Sequence, residues 1–170
     1  MDNIDIALLV LRLWAGFVII AHGINHGRSL EGTANWFAKV GFKAPHLNAF
    51  ISSAMEITVG LALIAGLLTP VAAAGLAATM FVAFWSIHRF AGFFVFHRPD
   101  EGYEYVATLA AVALALAIMG AGSASVDAAL DLDETLSGAV GAGIFAAGIL
   151  AAIGQLATFW RKPDKEKTKA

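Results

Sequence analysis

Five apolar runs divide this chain, and they limit how it can fold more than any other feature. They cover residues 6–22, 50–68, 71–87, 105–120 and 138–160, with Arg12 and Glu56 the only Lys, Arg, Asp or Glu inside them. At 1.5 Å of rise per residue, each run is long enough, or nearly so, to cross a hydrocarbon core of roughly 30 Å. Runs of this length also suit buried helices of soluble proteins, so charge placement has to decide. If all five cross, the N-terminus, the 69–70 turn and residues 121–137 share one side, and those pieces hold no Lys or Arg. The other side receives Arg28, Lys39, Lys43, Arg89, Arg98, Arg161, Lys162, Lys165, Lys167 and Lys169, ten of the eleven basic residues. Carboxylates outside the runs divide six and six. The bias therefore belongs to the basic residues alone, as the positive-inside rule requires. The pattern predicts an all-α, polytopic membrane helix bundle with its N-terminus outside and its C-terminus cytoplasmic.

Composition agrees. The chain is 59% hydrophobic and only 14% charged, against about 25% charged in an ordinary soluble domain. A net charge of -2 argues against a nucleic-acid partner, and the absence of Cys excludes thiol redox chemistry and thiolate metal sites. The first run reads as a retained span, because MDNID offers no positive leader region and no small-residue cleavage site follows. The polar tail RKPDKEKTKA reads as a topology anchor, or as a contact for anionic membrane lipid.

An ionisable residue inside a span costs roughly 3 kcal/mol and calls for a partner or a purpose. Arg12 and Glu56 are two such residues. His22 and His26, His88 and Arg89, and Glu104 crowd the helix ends on the basic side, with Glu56 about 9 Å in from the start of its run. On helical spacing Ser52, Glu56 and Gly60 share a face, as do Arg12, Gly16, Ile19 and Gly23, with small residues permitting close approach. Each group also has a local explanation: Arg12 as counter-ion to Glu56, the i,i+4 pair His22 and His26 as a cap or metal ligands, His88 as an interface anchor, Glu104 as a helix-start carboxylate. Delivery from four helices to one layer favours a common site. Two further segments are rich in aromatic residues. Residues 27–46, with Trp36, Phe37 and Phe42, read as a short interfacial helix stopped by Gly41 and Pro45. Residues 90–102 carry four Phe and His97, an aromatic belt or the mouth through which a lipid-soluble molecule enters.

In order, LLVLRLWAGFVIIAHGINH, GTANWFAKVGF, AMEITVGLALIAGLLTP, AATMFVAF with His88, and EGYEYVATLAAVALALAIMGAGSASVD resemble the DoxX family of bacterial membrane proteins, over roughly residues 8–130. The resemblance implies a four-helix membrane core within 1–130, an added loop and fifth transmembrane helix at 131–160, a basic cytoplasmic tail at 161–170, and residence in the bacterial cytoplasmic membrane. It matches Arg12, His22 with Gly23, Glu56 with Gly60, His88, Gly102 with Glu104 and Tyr105, and Ser125 with Asp127 to the family's motifs. Where the family often has Lys shortly after His-Gly, this chain has His26. The family includes relatives of a thiosulfate:quinone oxidoreductase subunit and membrane partners of redox proteins. The expectation is thus a redox-associated subunit with a protein partner and a quinone-binding pocket. Glu56, His88 and Glu104 would carry the proton chemistry, and Arg12, His22, Gly23 and Tyr105 would bind the cofactor; a metal at His22 and His26 is the alternative. The rival reading is a non-catalytic anchor or assembly scaffold that docks through Gly143, Ala147 and Ala151.

Overall fold

The computed structural model describes residues 1–96 and 101–163; His97, Arg98, Lys165, Lys167 and Lys169 lie outside them. The described residues form helices α1 (Asn3–Gly27), α2 (Leu30–Val40), α3 (Pro45–Ala65), α4 (Thr69–Ser86), α5 (Glu104–Met119), α6 (Val126–Ala129), α7 (Asp133–Leu136) and α8 (Gly138–Phe159), plus a 3-10 turn at His88–Phe90. No strand occurs among them; one isolated bridge joins Phe42 to Trp160.

Local chemistry sets the ends. Asp2 caps α1, accepting from the N–H groups of Ile4 and Asp5 at 2.8 and 2.9 Å, while the Asp2 N–H donates back to Asp5. α2 starts at Ser29, whose Oγ accepts from Gly32 N–H, and stops at Gly41, where φ of 103° suits a residue without Cβ. Proline stands in the first turn of both α3 and α4, where its missing N–H has no intrahelical partner to lose.

All five apolar runs are helical. α1, α3, α4 and α8 are long and apolar enough to cross a membrane. α5 has 16 residues, about 24 Å, and falls short of a hydrocarbon core of roughly 30 Å. It ends at Gly120 (φ 83°), after which the Ala121 N–H donates to Asp133 and the chain turns into the α6–α7 segment.

The tightest packing is the antiparallel crossing of α1 and α3. A Cβ placed on Gly16 would lie 2.7 Å from the Gly60 carbonyl oxygen, and one on Gly60 the same distance from that of Gly16. One on Gly23 would lie 2.9 Å from Glu56 Cβ. Where lipid competes for apolar surface, such close contact is a main source of helix association. Ala15, Ile19, Leu63, Leu76 and Leu116 fill the core beside the crossing. α8 packs alongside α4: Gly148 abuts the Ala74 carbonyl, and Trp160 lies near Arg89 at their common end. Of the small residues expected to dock a partner, Ala147 and Ala151 line a cleft against α3 and α4, while Gly143 faces open space.

Gly60→Ala is expected to lower the unfolding free energy of detergent-solubilised protein by about 1–3 kcal/mol, the usual cost of overpacking. Gly143→Ala, with open space for the added methyl, should not lower it and is expected to raise it by up to about 1 kcal/mol. Denaturant titration followed by circular dichroism measures both, and equal effects would contradict the close crossing.

Candidate functional site

The α1–α3 crossing sets the position of Glu56, a buried carboxylate that meets an imidazole. Glu56 lies eleven residues past the start of α3 at Pro45, about 16 Å along the helix. The sequence run begins at Phe50, so Glu56 is nearer mid-helix than the run suggested. It is buried, and Ser52, one turn earlier, donates to its Oε1 at 2.8 Å. His26, in the last turn of α1, places Nδ1 3.2 Å from Oε2. The two form an ion pair when the imidazole is protonated. They lack the alignment of a hydrogen bond, and both atoms are buried with no other partner. Gly23 lies one turn from His26, and its missing side chain lets α1 approach Glu56 this closely.

The pair borders a cavity of about 90 Å³. Its walls are Trp36, Phe37 and Phe42 from α2 and the following loop, Ile51 and Met55 from α3, and Thr79, Val82 and Ser86 from α4. The Trp36 and His26 ring centroids are 6.2 Å apart. α8 contributes Gln155, which donates to Asn48 Oδ1 at 3.2 Å. Met55 and Ala78 also line an apolar cleft of about 600 Å³ between α3, α4 and α8.

The other expected residues form two separate groups. His22 stacks on Tyr105, with centroids 5.5 Å apart and Tyr105 Oη 3.2 Å from Nε2. Tyr105 meets the edge of His88 at 6.4 Å, and His88 Nδ1 lies 2.7 Å from the Glu101 carbonyl oxygen. The His22 and His26 centroids are 6.4 Å apart; one ring turns to Tyr105 and the other to Glu56. No group of three His, Asp or Glu side chains with metal-holding geometry occurs among the described residues. Glu104 turns to the Phe-rich loop, accepting from Val95 N–H at 3.2 Å.

Arg12 lies at the opposite end of the bundle, ten residues or about 15 Å along α1 from His22. Fully buried, it donates to the carbonyls of Leu63 and Ile64 at the end of α3 (3.2 and 3.4 Å) and of Ala124 (2.7 Å). A guanidinium suits those carbonyls because a helix C-terminus carries partial negative charge. Asp127, also buried, accepts from the N–H groups of Leu68 and Thr69 at 2.6 and 2.8 Å, thereby capping α4. Thus the structure brings Glu56 together with His26, groups His22 with Tyr105 and His88, and separates Arg12 from all of them. Trp36, Thr79, Ser86 and Gln155 were not expected at the site. Gln155 carried a legible signal, as a lone amide in an otherwise apolar stretch.

This arrangement defines a class: a helical membrane protein whose buried acid–imidazole pair opens on an apolar-walled cavity. The DoxX family model matches residues 7–89, from the first turns of α1 to the turn after α4, so the chain is similar to the DoxX family over that stretch. A Bacillus subtilis (strain 168) relative named "Putative oxidoreductase CatD" is 26% identical over 114 residues, covering 67% of this chain and 81% of the relative. No solved structure matches the chain.

Removing one partner of a buried pair costs about 3–5 kcal/mol. His26→Leu is therefore expected to destabilise the protein by about that amount, and His26→Lys, which restores a cation, to recover most of it. Denaturant titration of the two variants checks this; equal losses would show that His26 matters for its shape and not for its charge.

Proposed function

We propose that the chain is a multi-pass component of a redox system in the bacterial cytoplasmic membrane, and that its cavity receives the headgroup of a quinone. The observation that carries this reading is the Glu56–His26 pair, with two buried polar atoms 3.2 Å apart facing an apolar cavity. A quinone headgroup is a flat ring with two hydrogen-bond acceptors. It calls for polar groups that can give up or take a proton, set in apolar and aromatic walls, and these residues fit it. The cavity alone is smaller than the roughly 150 Å³ that admits benzene. Met55, unbranched and adaptable, is the wall shared with the larger cleft, which has the apolar lining an isoprenoid tail needs. The word oxidoreductase in the relative's name supports the same class of activity.

A bound quinone would supply a two-electron, two-proton couple. The chain's own part is to hold and move protons: Glu56 Oε2 and His26 Nδ1 share one at the cavity wall, and Ser52 orients the carboxylate through Oε1. The route continues from His26 one turn back along α1 to His22, 6.4 Å between ring centroids, and on through Tyr105 at the start of α5 to His88 past the end of α4. Electrons come from a protein partner in this reading, and with no Cys the chain itself offers no thiol couple.

All five apolar helices cross the membrane in this reading, α5 with the help of the residues flanking its 16, with 1–130 as the DoxX-like core, 131–160 as the added loop and span, and the C-terminus cytoplasmic. The alternating directions support it: α1 runs against α3, α5 starts beside the ends of α1 and α4, and α8 ends beside α4.

Two measurements test the proposal. In nanodiscs, decylubiquinone is expected to quench tryptophan emission saturably, with the quenched component absent from Trp36→Phe. Glu56→Gln should weaken binding by about 10-fold or more, the value of a hydrogen bond to a charged group; no saturable quenching would remove the quinone reading. A green fluorescent protein fused after Ala170 is expected to fluoresce, and an alkaline phosphatase there to be inactive; the reverse pattern would overturn the five-span orientation.

A further inference from the structure

α4 and α8 end at the same level, and three cations gather there. The Arg89 guanidinium lies 4.0 Å from the Trp85 ring centroid, 4.5 Å from that of Phe90 and 5.8 Å from that of Trp160. Its Nε donates to the Trp85 carbonyl at 2.6 Å. Arg161 donates through one terminal nitrogen to the carbonyls of Ala157 and Trp160, both at 2.7 Å. Lys162 Nζ lies 5.2 Å from the Phe90 ring centroid. Among the described residues none of the three pairs with a carboxylate. Beside them an apolar cleft of about 470 Å³ runs between the helices, walled by Phe81, Trp85, Ile153, Leu156 and Trp160, with Arg161 at its edge. It shares no lining residue with the Glu56 cavity.

We propose that this cleft is a binding site for an anionic phospholipid, with the phosphate held by Arg89 and Arg161 and an acyl chain lying between α4 and α8. Three features point to that occupant. The cations are fixed by stacking and by carbonyl hydrogen bonds, and a guanidinium held through Nε still presents its two terminal amino groups, the edge that matches a phosphate. Charge and apolar surface adjoin in the order of a lipid, headgroup then chain. Among the described residues the cluster also brings three cations together with no carboxylate paired to them, so a zwitterionic headgroup would set its own cation against three others. The site is independent of the quinone reading and survives its failure.

Native mass spectrometry in mild detergent, with equal amounts of phosphatidylglycerol and phosphatidylcholine bearing the same acyl chains, tests the proposal. The wild-type protein is expected to retain phosphatidylglycerol preferentially. Arg89→Gln with Arg161→Gln should cut that preference about 25-fold, at roughly 5-fold per cation. Arg28→Gln with Lys39→Gln removes equal charge elsewhere and should preserve it. Ile153→Trp narrows the cleft at an exposed position while leaving the cations in place, and should reduce retention of phosphatidylglycerol. Equal retention of the two lipids overturns the site, as does an equal loss of preference in the Arg28/Lys39 variant, which would mark a diffuse charge effect. If the Arg89/Arg161 variant does not fold, Ile153→Trp decides: unchanged retention means that no chain occupies the cleft.

Discussion

The contact between Gly16 of α1 and Gly60 of α3 sets the spacing on which the rest of the bundle depends. Two helices that share bare backbone at one level must stay close for a turn or two on either side. Towards the start of α1 this brings Arg12 to the end of α3. Towards its end, Gly23 lies against Glu56 and His26 reaches the carboxylate. A wider crossing would leave a guanidinium and a carboxylate each buried alone, at several kcal/mol apiece. The small residues and the buried charges thus support one another.

The two ends of that crossing use charge differently. At the Arg12 end, polar groups are consumed by the backbone: carbonyls take the guanidinium, and Asp127 takes the first N–H groups of α4. This end is a clasp. It ties the α3–α4 turn to the segment after α5, with only Arg12 Nε and Thr69 Oγ1 left unpaired among its buried side-chain atoms, and neither residue lines one of the cavities. At the Glu56 end, one carboxylate oxygen and one imidazole nitrogen have only each other. Unspent hydrogen-bonding capacity beside a cavity is what a ligand or a proton can use, and it occurs where the walls come from α2, α3, α4 and α8.

The five helices were legible because long apolar runs leave the backbone few options in lipid. The burial of Glu56 and the nearness of Ser52 were legible from spacing along one helix. Spacing also put His26 about 40° from the glycine stripe of α1 and His22 about 80° from it, so the better-aligned imidazole is the one that pairs with Glu56. Resemblance to a family motif had drawn attention to His22 instead. Arg12 was misjudged because its partners are carbonyls, which no side-chain pattern displays. Glu104 was misjudged because a loop folded back to meet it, and Gln155 was overlooked because its helix counted as an addition. Each of these depends on contacts between segments far apart in sequence, beyond the reach of helical periodicity.

That the basic group facing Glu56 is a histidine and not a lysine bears on what the pair can do. A lysine beside a buried carboxylate is a fixed counter-charge, and the pair has one comfortable state, with both groups ionised. Histidine gives two electroneutral states: imidazolium with carboxylate, and imidazole with carboxylic acid. They differ only in which atom holds the proton across a 3.2 Å gap. Moving between them changes no net charge inside the bundle, so neither state carries the cost of a lone buried ion. Such a pair can hand a proton to a neighbouring acceptor and recover it from His22 or from water, a step that a lysine's usual affinity for its proton would oppose. Ser52 donates to the other carboxylate oxygen, which fixes the orientation of Glu56 and leaves Oε2 facing His26.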